Sequence, residues 1–376
     1  MKRLERFLSR AGRLILILTA TGLVASSAQA AEKRKVIIDD EGFSLMHHML
    51  VNDPNTDVLG LTLVSGNVWV KRGVILALSG LETAGRTDIP VYKGATYPLL
   101  NSEALTDRWE ALYGKLTWKG AWMKRWVEPT IQSTPKYYGP DDVSDLPAVA
   151  PGHKASDEAA ANYLIRMVRQ YPGQITIVAG GPMTNLALAQ RLDPEFASLA
   201  KELVYMGGSL NPHQMLDNDP AAQFAREYVN SPRREFNIRW DPEAASIVSR
   251  SPWKKITVVP VDPSTATQLS KGLLQRLAAV AAPKLRRVIS AMEPNFPLWD
   301  EIAAAVWIDP TLIKQQDTLF VDYNAQFGPS YGDMLSWRKG YEPGVGEQSA
   351  TVVREVYPER LEALMVKLIG NGRARE

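Results

Sequence analysis

The sequence predicts an α/β fold: a single domain with a largely parallel central sheet flanked by helices. Three observations lead there. Short apolar runs rich in β-branched residues alternate along the chain with helical patterns. The runs are apolar throughout, as strands covered on both faces are. Acidic, polar or glycine-rich residues cluster just after four of these runs, and in parallel sheets ligands bind beyond the carboxyl ends of the strands.

The elements follow in order. Residues 36–38 read as a buried strand running into Asp39-Asp40-Glu41, residues 45–51 as a helix, and residues 58–64 as the next strand, followed by Ser65-Gly66-Asn67. A helix is expected over 70–84, a turn at Gly85-Arg86-Thr87-Asp88 and a strand over 89–92. Further on come a helix over 157–170, a strand over 175–179 ending in Gly180-Gly181, and a helix starting near Asn185. Strands are expected over 203–206, before Gly207-Gly208, and over 256–261. The periodicity weakens across 101–152, which holds Trp109, Trp118, Trp122 and Trp126 with Tyr113, Tyr137 and Tyr138. This stretch reads as an inserted, partly helical lid. Its rings either form a small aromatic core that pins the excursion to the body, or in part stack on a flat ligand.

Residues 1–30 read as a secretory signal peptide: a basic start (Lys2, Arg3, Arg6, Arg10, Arg13), an apolar run over 14–25 and the small-x-small site Ala28-Gln29-Ala30. The run is too short to span a bilayer, which takes roughly 20 residues. The leader carries five bases and one acid, so its removal takes the formal charge from +2 to about −2. The basicity is thus a targeting feature, and no nucleic-acid surface is implied. The chain has no cysteine, which excludes disulfides, thiolate metal sites and a lipid anchor on cysteine. A periplasmic protein with no membrane attachment after cleavage is expected, with residues 31–376 as one domain.

Three consecutive carboxylates at the end of an apolar strand repel one another and are costly to bury unpaired. A hard cation such as calcium, which takes oxygen ligands, is one explanation; an acidic helix N-terminus is the other. In an extended backbone Asp39 and Glu41 point to one side and Asp40 to the other. Gly180-Gly181-Pro182-Met183-Thr184-Asn185 places glycines between a strand and a helix. It lacks the Gly-Lys-Ser/Thr ending of a phosphate loop and the spacing of a dinucleotide fingerprint.

These residues resemble the inosine-uridine-preferring nucleoside hydrolases. The likeness runs through Val58-Leu59-Gly60-Leu61-Thr62, Ser65-Gly66-Asn67, residues 84–91, Gly181-Pro182-Met183-Thr184-Asn185-Leu186-Ala187 and Tyr205-Met206-Gly207-Gly208. It continues in Glu235-Phe236-Asn237, Asp241-Pro242-Glu243-Ala244-Ala245, Trp299-Asp300 and the C-terminal part from Val321 to Leu368. The resemblance implies a Rossmann-like nucleoside hydrolase fold. It also implies a calcium ion that binds water and the ribose hydroxyls, and a carboxylate that takes a proton from that water as the N-glycosidic bond breaks. It implies the Thr184 carbonyl and Asp300 as metal ligands and matches Asp39 to the family's first aspartate; strand alternation then turns Asp39 and Glu41 towards the metal and leaves Asp40 as base. Asn67, Asn218, Glu235 and Asn237 would face the ribose.

Two departures stand out. The family's acidic loop reads Asp-x-Asp-Pro-Gly-x-Asp-Asp, whereas Asp39-Asp40-Glu41-Gly42-Phe43 here is about three residues shorter. Either Asp40 and Glu41 divide the base and the remaining ligand between them, or the metal site is altered. Trp299 also stands where many members have histidine, and an indole cannot protonate a leaving base. His213 is the candidate acid, Trp299 a stacking partner, and the tryptophans favour purines; His47 and His48, in the first helix, are expected to be structural or exposed. The expected activity is hydrolysis of ribonucleosides to base and ribose by an enzyme that could form homo-oligomers. The alternatives are a non-catalytic nucleoside- or sugar-binding protein and a hydrolase of another N-glycoside. No nucleic-acid polymer is expected as a partner.

Overall fold

Apolar β-branched runs form the centre of a nine-stranded sheet. The computed structural model describes residues 32–126, 135–210 and 235–375. Strands β1 (Arg34–Asp40), β2 (Thr56–Leu63), β3 (Val91–Lys93), β4 (Ile175–Ala179), β5 (Glu202–Met206) and β6 (Ile256–Val259) are parallel. Near the C-terminus come β9 (Ile313–Tyr323), β10 (Met334–Trp337) and β11 (Gln348–Val356), with β7 (Gln268–Leu269) and β8 (Phe296–Pro297) forming a separate small pair. The order is β10-β9-β11-β6-β5-β4-β1-β2-β3, with β11 parallel to β6 and β9 antiparallel to both its neighbours. The central six strands thus have doubly wound order, and the chain reverses direction across the sheet between β1 and β4.

Side-chain alternation assigns the two faces. Val36 and Ile38 pack against α1 (Leu45–Asn52), α2 (Val70–Thr83), α9 (Lys271–Val280), α10 (Pro283–Ser290), α11 (Asp300–Ile308) and α12 (Pro358–Asn371). Ile37 faces the opposite layer, made by α4 (Ala160–Gln170), α5 (Thr184–Leu192), α6 (Phe196–Leu199) and α8 (Pro242–Ser249). Two other helices, α3 (Glu103–Tyr113) and α7 (Phe236–Trp240), complete the inventory of the described α-helices. No helix among the described residues is long and apolar enough to cross a membrane.

The β1–β2 register slips by one residue. Val36 pairs with Val58 but Ile37 pairs with Gly60, so Leu59 is an extra residue in β2. Its carbonyl accepts a hydrogen bond from the Tyr163 hydroxyl at 2.8 Å. Gly60 is required beneath that ring, since an added Cβ would lie 2.6 Å from the same hydroxyl.

The expected order of elements is found, with shifted boundaries. Residues 89–90 lie ahead of β3 as irregular backbone, and α4 starts at Ala160 because 157–159 remain non-helical. The antiparallel hairpin at the C-terminal edge was not foreseen, because β9 carries exposed and half-buried residues along most of its length and so lacks an apolar run. In the aromatic stretch, α3 and a short turn at Gly120–Trp122 are the helical parts. Trp122 stacks on Trp240 at 3.9 Å within a cluster that includes Trp69 and Phe236. Trp109 packs with Leu116 and Tyr331. These rings form the small aromatic core that pins the excursion to the body.

Candidate active site

The carboxyl end of β1 lies at the reversal point of the sheet, where a crevice forms in doubly wound folds. Alternation sends its last two side chains to opposite faces. Asp39 turns towards α5, where its Oδ1 accepts hydrogen bonds from Thr62 Oγ1 (2.6 Å) and Asn185 Nδ2 (2.8 Å). Its Oδ2 is buried without a hydrogen-bond partner. Burial, with a smaller push from Asp40, raises the Asp39 carboxyl to about 7. Asp40 turns towards α1; its Oδ1 accepts from the Glu41 amide at 2.7 Å and its Oδ2 lies 3.6 Å from His47 Nε2. Burial raises Asp40 to about 6.

Glu41 stands beyond the end of the strand. Its Oε1 accepts from the Asn67 amide (3.0 Å) and its Oε2 from Asn67 Nδ2 (3.2 Å). Burial, then the charges of Asp40 and Glu235, hold its pKa well above the usual carboxylate range. Asp300 opens helix α11, and burial with repulsion from Asp40, Glu301, Glu41 and Glu235 raises its pKa strongly. Asp300 as a residue is half-buried, and its carboxylate makes no hydrogen bond to another described residue. Glu301, beside it, is pushed up to about 7, chiefly by burial. Glu235 caps α7: Oε1 accepts from the Asn237 amide (2.8 Å), and Oε2 from the Ile238 (3.2 Å) and Gly208 (3.3 Å) amides. Asn237 donates to the Gly180 carbonyl at 2.6 Å, joining α7 to the end of β4.

The structure therefore groups Asp40, Glu41, Glu235 and Asp300 electrostatically, with Asn67 and Asn237 on their edges. Asp39 lies one step behind, tied to β2 and α5. The Thr184 hydroxyl donates to Asp241 at 2.6 Å, and Asp241, raised to about 6 by burial, caps α8. Trp299 immediately precedes Asp300 and packs edge-on against Phe296 at 5.1 Å. His213 and Asn218 lie outside the described residues. His47 and His48 are buried, not exposed, and desolvation holds both neutral, lowered to about 3 and 4.

Glycines make room for the acids. An added Cβ at Gly181 would stand 3.1 Å from Glu41 Cγ, and one at Gly180 would stand 3.1 Å from Asp40 Cγ. At Gly66 it would fall 2.0 Å from Glu41 Oε1. Gly66→Ala should therefore push Glu41 off Asn67 while leaving the sheet intact. We expect kcat to fall roughly 100-fold, the scale of a misplacement of about 1 Å, with an unchanged far-ultraviolet circular dichroism spectrum.

Several residues of this neighbourhood were not picked out as functional from sequence: Thr62, Asn185, Asp241, Glu301 and His47. Only Glu301 and His47 carried a separate signal. Glu301 neighbours the candidate ligand Asp300, and His47 sits three residues after the helix-opening Ser44, where a side chain can bond back to the cap.

The donor set is all oxygen and its charges repel, which fits a hard dication. Among the described residues, no three His, Asp or Glu side chains already converge as a chelate. Among the described residues, Asp39 Oδ2, Asp40 Oδ2 and the Asp300 carboxylate make no hydrogen bond.

Known proteins resemble this chain in sequence and in fold. A fission-yeast protein, "Uncharacterized protein C800.11", is 28% identical over 353 residues, covering 89% of this chain and 85% of its own length. The "Pyrimidine-specific ribonucleoside hydrolase RihB" of Shigella flexneri is 26% identical, covering 80% of this chain and 86% of its own. Among solved structures, a plant nucleoside hydrolase (PpNRh1) superposes with a TM-score of 0.64 at 26% identity, covering 90% of this chain and 99% of that one. The pattern of the inosine-uridine preferring nucleoside hydrolases matches residues 36–363. The chain belongs to that family, whose chemistry is hydrolysis of the N-glycosidic bond of ribonucleosides.

Proposed function

We propose that the acidic crevice at the end of β1 is the hydrolytic site, with the Asp40–Glu41 pair as its base and calcium as its cation. The observation that carries this is the electrostatic coupling of Asp40, Glu41, Glu235 and Asp300 at the reversal point of the sheet. Adjacent coupled carboxyls share their protons, so the pair keeps one ionised member able to accept a proton from water near neutral pH. Glu235 and Asn237, held by the α7 cap, fit ribose hydroxyls, and Asn67 steadies Glu41 from the rim. Asp39 Oδ2, Glu41, the Thr184 carbonyl and Asp300 would hold the cation. When bound, it would lower the pKa of water and neutralise the clustered charge.

The base is proposed to be a purine by preference. Trp118 and Trp126 stack on each other at 5.2 Å, and the Trp118 indole donates to Asn67 Oδ1 at 2.7 Å, so this aromatic pair borders the acids. A pyrimidine preference is the second reading, favoured by the name of the Shigella relative. The N-terminal leader pattern supports a periplasmic enzyme.

The test is base release by residues 31–376 from inosine, adenosine, guanosine, uridine and cytidine. Release abolished by chelator and restored by calcium is expected; no release with calcium present and the protein folded would overturn the proposal. Calcium should also raise the melting temperature. Asp39, Asp40 and Glu301 have folded pKa values above their unfolded ones, so ionising them opposes folding as pH rises through about 6 to 7. The calcium increment should be largest above pH 7 and shrink towards pH 5, where these groups hold protons, as differential scanning fluorimetry would show.

A further inference from the structure

We propose that His47 is a positioning residue for Asp40, a neutral N–H donor built into α1 that aims the carboxylate of the base; this rests on the assignment of the base above. Two contacts fix the ring, and one of them is itself anchored. Its Nδ1 accepts the Ser44 amide at 3.0 Å, the part a glutamate or glutamine plays when it reaches back to a helix cap. Phe43 stacks on one face, with ring centroids 4.7 Å apart and planes 25° from parallel. Phe43 in turn is seated on α2 at Gly80, where an added Cβ would come within 2.2 Å of its ring.

The chemistry follows from the first contact. A nitrogen that accepts from a backbone amide carries no proton, so in the neutral ring the proton is on Nε2. That nitrogen has no hydrogen-bond partner and is fully buried, and Asp40 Oδ2 lies 3.6 Å from it. The gap is slightly beyond a hydrogen bond, as catalytic contacts often are before substrate is bound. Burial holds the ring neutral, so it donates without competing for the proton taken from water. The other oxygen, Oδ1, is occupied by the Glu41 amide. The Asp40 carboxylate is thus gripped at one oxygen from its own loop and approached at the other from α1. Because the acidic loop is short, Gly42 and Phe43 run directly into Ser44, and the first turn of α1 reaches the base.

The experiment compares wild type, His47→Leu, His47→Gln and Asp40→Asn in calcium-loaded protein with inosine and uridine. His47→Leu should lower kcat about 10- to 100-fold with KM within about twofold, the range for removing a partner that orients an active group. His47→Gln places an amide N–H near the Nε2 position and should recover most of the rate. Ring-nitrogen NMR of the wild type should show Nε2 protonated and Nδ1 bare, with the Nε2 proton displaced in Asp40→Asn. A wild-type kcat in His47→Leu, or a proton on Nδ1, would overturn the inference. Should His47→Leu fail to fold, failure of His47→Gln to restore the rate or an undisplaced Nε2 proton would do the same. Full activity in Asp40→Asn would instead overturn the assignment of the base, an outcome separate from the other two.

Discussion

Asp40→Asn is expected to lower kcat by about 10²- to 10⁴-fold, the usual contribution of a positioned general base, with little change in KM. An asparagine keeps the oxygen that accepts the Glu41 amide, so the loop should hold its shape while losing its proton acceptor. The same substitution should alter how stability depends on pH. In the wild type the Asp40 carboxyl lies at about 6, above its ordinary 3.8, because burial opposes its charge. Both folded and unfolded chains hold that proton below about pH 4, so the group is neutral to folding there. As pH rises towards 6 the unfolded chain releases the proton first, and folding loses on the order of 2 to 3 kcal/mol from this one group. Asp40→Asn removes that loss. The fall in melting temperature between pH 5 and pH 8, measured without cation, should be smaller in the variant than in the wild type. An equal fall would mean that Asp40 is not held protonated by burial.

The second large effect is expected at Asn185. Its side chain is fully buried and joins three segments: Nδ2 donates to Asp39 Oδ1 and to the Leu63 carbonyl (3.1 Å), and Oδ1 accepts from the Ala95 amide (2.9 Å). Asn185→Ala would leave the Ala95 amide unpaired and strip one of two hydrogen bonds from a buried carboxyl. Unmade buried hydrogen bonds cost about 1 to 3 kcal/mol each, so a loss of roughly 2 to 4 kcal/mol is expected in urea denaturation. Activity should fall as well, because Asp39 would keep only Thr62. A destabilised variant with unchanged kcat would restrict Asn185 to holding the fold.

Much of this site was legible in the sequence for a physical reason. Charges at the end of an apolar strand are costly, and so they are conspicuous: Asp39, Asp40 and Glu41 announce a site wherever they fold. The parallel sheet was legible because strands covered on both faces are apolar throughout. What stayed hidden depends on contacts distant in the chain. Asp300 acquires its raised pKa only when α11 and α7 bring it and Glu235 to the end of β1. The grouping of Glu41 with Asp40 follows from β1 ending at Asp40, a boundary that periodicity does not fix. His47 was read as a structural or exposed helix residue because burial at the start of α1 depends on Phe43 folding back onto α2.

The extra residue at Leu59 has a consequence of another kind. Were Leu59 paired instead of bulged, the pairing of Val36 with Val58 would continue in step and place Leu61 beside Asp39; with the bulge, Thr62 stands there and its hydroxyl meets the carboxyl. The site is therefore sensitive to phase as well as to composition. A point substitution at Leu59, whose backbone carbonyl rather than its side chain meets Tyr163, leaves that phase intact. Deletion of the same residue would leave Thr62 in step with Asp39 but remove the carbonyl that Tyr163 meets, whereas drawing Leu59 into the pairing would put a leucine against a buried acid and turn the rest of β2 over. The phase of β2 thus rests on the bulge itself, held by the Leu59 carbonyl and by the fit of Gly60 beneath the Tyr163 ring, so a change at Gly60 or Tyr163 can reach the acid through the register.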